Sequence, residues 1–193
     1  MSPLRFLLAI VALAILGGCT ERGQPEGTLR PAKGGRNYGG IYRQNETGEL
    51  SSLDPCRVND VTSSHIIINI YDRLIGCDSA LSNVPQLARR YEVWDDGRTY
   101  TYHLRSDVYF HDDPCFPGGR GRIMTAHDVK YSFDRICDVR SQTKSDAYFR
   151  DKVVGATAYY DATREAQRTR TAPRISGVEG FVVVDDTTFQ IIL

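Results

Sequence analysis

Tyr91-Glu92-Val93-Trp94 and Thr99-Tyr100-Thr101-Tyr102-His103-Leu104 flank Asp95-Asp96-Gly97, and no other stretch restricts the fold of this 193-residue chain so strongly. Aromatic and β-branched residues around an Asp-Gly turn specify an antiparallel β-hairpin. Further along, Phe181-Val182-Val183-Val184 and Thr188-Phe189-Gln190-Ile191-Ile192-Leu193 read as two strands around an Asp185-Asp186 turn. The chain stops inside the second of these strands, so it is expected to be a piece of a longer protein. Tyr38-Gly39-Gly40-Ile41-Tyr42-Arg43 and Val108-Tyr109-Phe110 are two further candidate strands.

Helical spacing accompanies the strands. Between residues 62 and 74 the apolar positions are Ile66, Ile67, Ile70, Tyr71 and Leu74, with Thr62 or Ser63 available as a cap and Gly76 as a stop. Pro85-Gln86-Leu87-Ala88-Arg89-Arg90 suggests a short helix with proline in its first turn. Thr125-Ala126-His127-Asp128 resembles a capping box and starts a helix through Val129, Phe133 and Ile136. A last helix covers residues 156–168, its Arg-rich second half solvated. The expected fold class is α/β, in the mixed α+β sense.

The amino terminus says where such a fold works. Arg5, an apolar run from Phe6 to Leu16, two glycines and Cys19 have the layout of a secretory signal. The run is too short for a bilayer-spanning helix, which needs about 20 apolar residues. Leu16-Gly17-Gly18-Cys19 resembles a bacterial lipobox, which makes residues 1–18 a lipoprotein signal peptide and Cys19 the lipidation site. An ordinary cleaved signal beside an incidental cysteine is the alternative. Residues 19–36 are polar and rich in Gly and Pro, as in a flexible tether. Lys+Arg and Asp+Glu both number 24, which argues against a nucleic-acid surface. Ser52, Ser63 and Ser132 lack a nucleophile-elbow pattern, which argues against hydrolysis.

Specific strings then recur in order: Ser52-Leu53-Asp54-Pro55, Ile70-Tyr71-Asp72-Arg73-Leu74, Pro85-Gln86-Leu87-Ala88, the hairpin through Arg105, Phe110-His111-Asp112-Asp113-Pro114, and Thr125-Ala126-His127-Asp128-Val129-Lys130-Tyr131-Ser132-Phe133. Together they resemble the family 5 extracellular solute-binding proteins of ABC transporters, across about residues 38–193. The resemblance implies a type II periplasmic-binding-protein lobe, incomplete. Residues 37–71 would start the N-terminal lobe and residues 72–193 would form the small domain inserted in it. It also implies a monomeric, lipid-anchored periplasmic receptor without cofactor or catalysis, binding peptides and handing them to an ABC permease. Another solute, such as an oligosaccharide or a metal chelate, or a signalling role in the envelope, are the alternatives.

By the same resemblance the ligand-facing segment is Asn59, Asp60 and Val61, ahead of the first helix, where unpaired backbone groups suit a peptide. Asn59 and Asp60 as plain helix caps are the competing reading. Tyr148 and Phe149 match a cleft aromatic of the family, with core packing as the alternative. His111, Asp112, Asp113 and Cys115 read as a polar turn rather than a metal site. Four cysteines remain after Cys19, an even set in an exported chain. Cys115–Cys137 is the expected bridge, closing about 20 residues for about 3 kcal/mol. A helix over residues 62–74 would hold Cys56 and Cys77 roughly 20 Å apart, too far to pair.

Overall fold

The computed structural model describes residues 29–31, 35 and 37–193. The signal segment, Cys19 and most of the tether lie outside them. The described residues divide into two units between Asn45 and Glu46. In the first, β1 (Arg30–Pro31) pairs antiparallel with β2 (Asn37–Tyr38). The strand expected over residues 38–43 stops at Tyr38, because Gly39 and Gly40 turn the backbone to φ 101° and 82°.

The second unit contains, in chain order, α1 (Val61–Ile70), β3 (Ile75–Cys77), β4 (Asn83–Pro85), β5 (Ala88–Val93), β6 (Thr99–Leu104), α2 (Ala126–Ile136), α3 (Ala156–Thr169), β7 (Phe181–Asp185) and β8 (Thr188–Ile192). Strands β5-β6-β8-β7 form one antiparallel sheet. The β5–β6 hairpin is the one its sequence specifies. Gly97 adopts φ 65°, and Asp96 Oδ1 accepts the Arg98 and Thr99 N–H groups at 2.8 and 3.1 Å. Tyr91 stands opposite Tyr102, Tyr102 opposite Phe189, and Phe189 opposite Val183, so one apolar row crosses all four strands.

Helix α2 lies against β7 and β8. Its Phe133 ring centroid is 5.7 Å from Phe149, 5.3 Å from Phe181 and 5.6 Å from Phe189, and this cluster forms the centre of the core. Offset and edge-on ring pairs at such distances are the favourable arrangements. The capping box at Thr125 forms: Asp128 Oδ2 accepts the Thr125 N–H at 2.8 Å. Arg122 grips the same carboxylate with two nitrogens at 2.6 and 2.7 Å and, as the first cause, holds it below the ordinary carboxylate range.

Tertiary pairing overrides local pattern in three places. Helix α1 is capped by Asp60, not Thr62 or Ser63, and ends at Ile70, not Leu74. Residues beyond it are recruited by the sheet: Arg73 and Leu74 carbonyls accept the Leu87 and Ala88 N–H groups at 2.9 Å. Gly76 therefore sits in β3, where a Cβ would come within 2.7 Å of the Gln86 amide. The helix expected at Pro85–Arg90 is instead the end of β4 and the start of β5. Residues 108–110 contribute a single bridge, Tyr109 to Ile123, rather than a strand.

The Cys115–Cys137 bridge does not form. Cys56, Cys77, Cys115 and Cys137 are all free thiols. Cys137 caps α2 and is fully buried in the core, whereas Cys115 lies exposed in the polar loop beside Asp113. Burial pushes the Cys137 thiol up to about 12, so little of it is nucleophilic thiolate at neutral pH. Alkylation of the folded protein should therefore label Cys77 and Cys115 within minutes, and Cys56 and Cys137 only after denaturant. Mass spectrometry of the digest reads the pattern, and early label on Cys137 would contradict the packing.

Candidate functional site

Residues 51–61 form a short polar path into α1. Ser52 Oγ accepts the Asp54 N–H at 3.0 Å, and Asp54 Oδ1 accepts the Cys56 N–H at 3.1 Å. Asp54 and Pro55 thereby start a 3-10 turn, Pro55–Arg57, with proline at a position where its missing N–H costs nothing. Cys56 and Val58 are buried on either side of Arg57. Asn59 then emerges exposed. Asp60, in extended conformation, caps α1 through the Ser63 N–H at 2.7 Å. Its carboxylate also accepts the Ser51 hydroxyl, the first cause holding it below the ordinary range. Val61 opens the helix 68% exposed.

Of the two readings of this segment, the geometry bears on the cap. Asp60 is a cap, and Asn59 and Val61 flank it on the surface. The first-turn N–H groups of any helix exceed what one capping side chain satisfies, and the Asp60 side chain takes that of Ser63. Residues Tyr148 and Phe149, adjacent in sequence, part company. Tyr148 ends a 3-10 turn, Asp146–Tyr148, with 72% of its surface exposed. Phe149 turns inward, 5.7 Å from Phe133 and 5.8 Å from Phe181, and core packing accounts for it. One backbone and one side-chain hydrogen bond bring the two regions toward each other: the Cys56 carbonyl accepts the Lys144 N–H at 2.9 Å, and Arg57 Nε donates to the Ser141 carbonyl at 3.2 Å.

In the loop of residues 111–122, Asp112 accepts the Gly121 N–H and Asp113 the Cys115 N–H, both at 2.9 Å, so both carboxylates shape the turn itself. Gly121 is obligatory there, because a Cβ would lie 1.8 Å from the Phe110 carbonyl oxygen. Among the described residues no three His, Cys, Asp or Glu side chains group as a metal would require.

Two features have no signal in local sequence. One is an open polar cleft of about 450 Å3 lined by Pro85, Gln86, Arg89, Arg105, Ser106 and Asp107. Its Arg105 is taken by Asp107 through bonds of 2.9 and 3.0 Å. The other is the ion pair of Arg135 with Asp54, 2.6 Å across 81 residues of chain.

Residues 83–193, more than half of the chain, match the family described as bacterial extracellular solute-binding proteins, family 5 Middle. The chain belongs to this family of solute-binding proteins, whose members serve transport and are not enzymes. It is 36% identical over 100 residues to the peptide transport periplasmic protein SapA of Salmonella typhimurium, covering 49% of this chain and 17% of that one. It is 27% identical over 108 residues to the probable deoxycholate-binding periplasmic protein YgiS of Escherichia coli, covering 56% and 19%. A periplasmic oligopeptide-binding protein of Borrelia burgdorferi superposes with a TM-score of 0.60 at 25% identity, over 75% of this chain and 26% of that one. The fold is that of type II periplasmic binding proteins, and the chain spans under a fifth of the curated relatives it matches.

Proposed function

We propose that this chain is the N-terminal part of a peptide-binding lipoprotein of an ABC importer. Cys19 anchors it at the periplasmic face of a membrane, residues 19–36 tether it, residues 37–71 begin the N-terminal lobe, and residues 72–193 form the domain inserted in that lobe. The receptor closes two lobes over a peptide and presents it to the permease. The observation that carries this reading is the segment Asn59–Val61 at the mouth of α1, exposed at Asn59 and Val61, in a chain whose relatives include a peptide transport protein. Backbone donors at a helix start recognise a peptide main chain whatever its side chains, which suits a receptor of broad specificity. Exposed Tyr148 offers an apolar platform with a polar tip.

Calorimetry of the full polypeptide with short peptides, deoxycholate and an oligosaccharide tests the substrate. Peptide binding with no response to the other two is the expected result, and tight deoxycholate binding without peptide binding would overturn it. Val61→Pro tests the segment. It deletes one N–H at the first helical position, where proline is tolerated and where the extended Asp60 already suits a following proline. Peptide affinity should fall up to about tenfold, the worth of one hydrogen bond, while the thermal midpoint stays within a degree or two.

A further inference from the structure

The geometry points to Arg135 as a positioning residue for the ligand-facing segment, acting through Asp54. Two fixed points bracket Asn59 and set the entry into α1 at Val61. On the far side, Asp60 is locked to Ser63 and Ser51, and the Ser51 N–H donates to Ser63 Oγ at 2.9 Å. On the near side, Asp54, Cys56 and Arg57 are fastened to the end of α2 and to residues 141 and 144 after it. Arg135, in the last turn of α2, donates to Asp54 Oδ2 at 2.6 Å, while Oδ1 of the same carboxylate holds the Cys56 N–H. The Asp54 carbonyl accepts the Arg57 N–H at 2.9 Å. Cys56 and Arg57 then reach Lys144 and Ser141.

Arg135 supplies the only charge that α2 brings to Asp54 among the described ion pairs; the other cation, Arg57, lies 3.8 Å away on the loop itself and moves with it. Both members of the pair are about one-third exposed or less, so water screens it only in part. Burial pushes the Asp54 carboxyl up, but the Arg135 hydrogen bond and the Cys56 N–H outweigh it and leave the group below its ordinary value. With one end anchored to α2 and the other to α1, the exposed residues between have little freedom to lose when a peptide docks. Ordering a mobile segment would otherwise weaken binding.

This inference rests on the binding role proposed for Asn59–Val61, and two readouts on the full polypeptide keep the two ideas apart. Amide exchange at residues 56–61 should quicken about tenfold in Arg135→Gln while β6 and β8 stay slow. Asp54→Asn retains the cap but removes the charge, and the double variant should exchange no faster than either single one. Titration with the tightest peptide should show affinity falling three- to tenfold in parallel. Unchanged exchange in Arg135→Gln, exchange that rises equally in the sheet, or quickened exchange with unaltered affinity would each overturn the positioning role. A wild-type protein that binds no peptide would instead overturn the transport reading, and the exchange data would still decide whether Arg135 holds the loop.

Discussion

Replacing Phe181 by alanine should destabilise the protein by about 3–5 kcal/mol, the usual cost of removing a buried ring. Phe181 is 1% exposed and touches three other rings: Phe133 at 5.3 Å, Phe149 at 5.8 Å and Phe189 at 6.2 Å. Its loss opens a cavity among side chains on α2, β7, β8 and the 146–149 turn, which cannot all move inward together. Against a total stability of 5–15 kcal/mol for a typical domain, this is a large fraction. The thermal midpoint should drop by about 6–20 °C, given roughly 2–4 °C per kcal/mol at this size. Tyr148→Ala, on the same turn but facing solvent, should shift stability by less than about 0.5 kcal/mol. Equal losses in the two variants would show that the turn, not the aromatic cluster, carries the stability.

Asp134→Ala should cost about 3 kcal/mol through polar rather than apolar damage. Asp134 Oδ1 accepts the N–H of Val178, which is 1% exposed, at 2.8 Å. One turn earlier on α2, Lys130 Nζ donates to the Val178 and Phe181 carbonyls at 2.9 and 2.8 Å and lies 3.3 Å from Asp134. The pair brackets the turn that launches β7. Removing the carboxylate strands a buried N–H, worth about 1–3 kcal/mol, and leaves Lys130 without its counter-charge. Lys130 is nearly one-third exposed, so water limits that second penalty. Burial raises the Asp134 carboxyl above its ordinary value despite Lys130 and Val178, so a neutral acceptor is well tolerated there. Asp134→Asn should accordingly lose about half as much in chemical denaturation. An asparagine as damaging as alanine would mean that the charge, not the acceptor, matters.

Legibility followed the range of the interactions. The hairpin at residues 91–104, the capping box at Thr125 and the helix α3 rest on neighbours within a few residues, and their residue patterns announce them. Pro85–Arg90 shows the limit: a helical pattern over six residues is weaker than two strand pairings, and the sheet wins. The same competition shortens α1, because Arg73 and Leu74 gain ladder hydrogen bonds that another helical turn would have forfeited. Tyr148 and Phe149 are neighbours whose opposite fates depend on which of them meets Phe133. Cys115 and Cys137 have a plausible spacing for a bridge, yet one lies on a loop surface and the other inside the core.

Membership of the solute-binding family was readable from ordered strings, since each string encodes a local turn, cap or strand. The candidate segment Asn59–Val61 was placed by those strings as well. Its fastening to α2 through Asp54 and Arg135 was not, because a pair separated by 81 residues leaves no periodic or compositional trace. Sequence by itself determined the element types wherever hydrogen bonds close within a turn, and the family wherever such elements recur in order. Tertiary structure alone decided which face of each element is buried, which thiols stay apart and what holds the candidate site, because those outcomes depend on contacts between residues far apart in the chain.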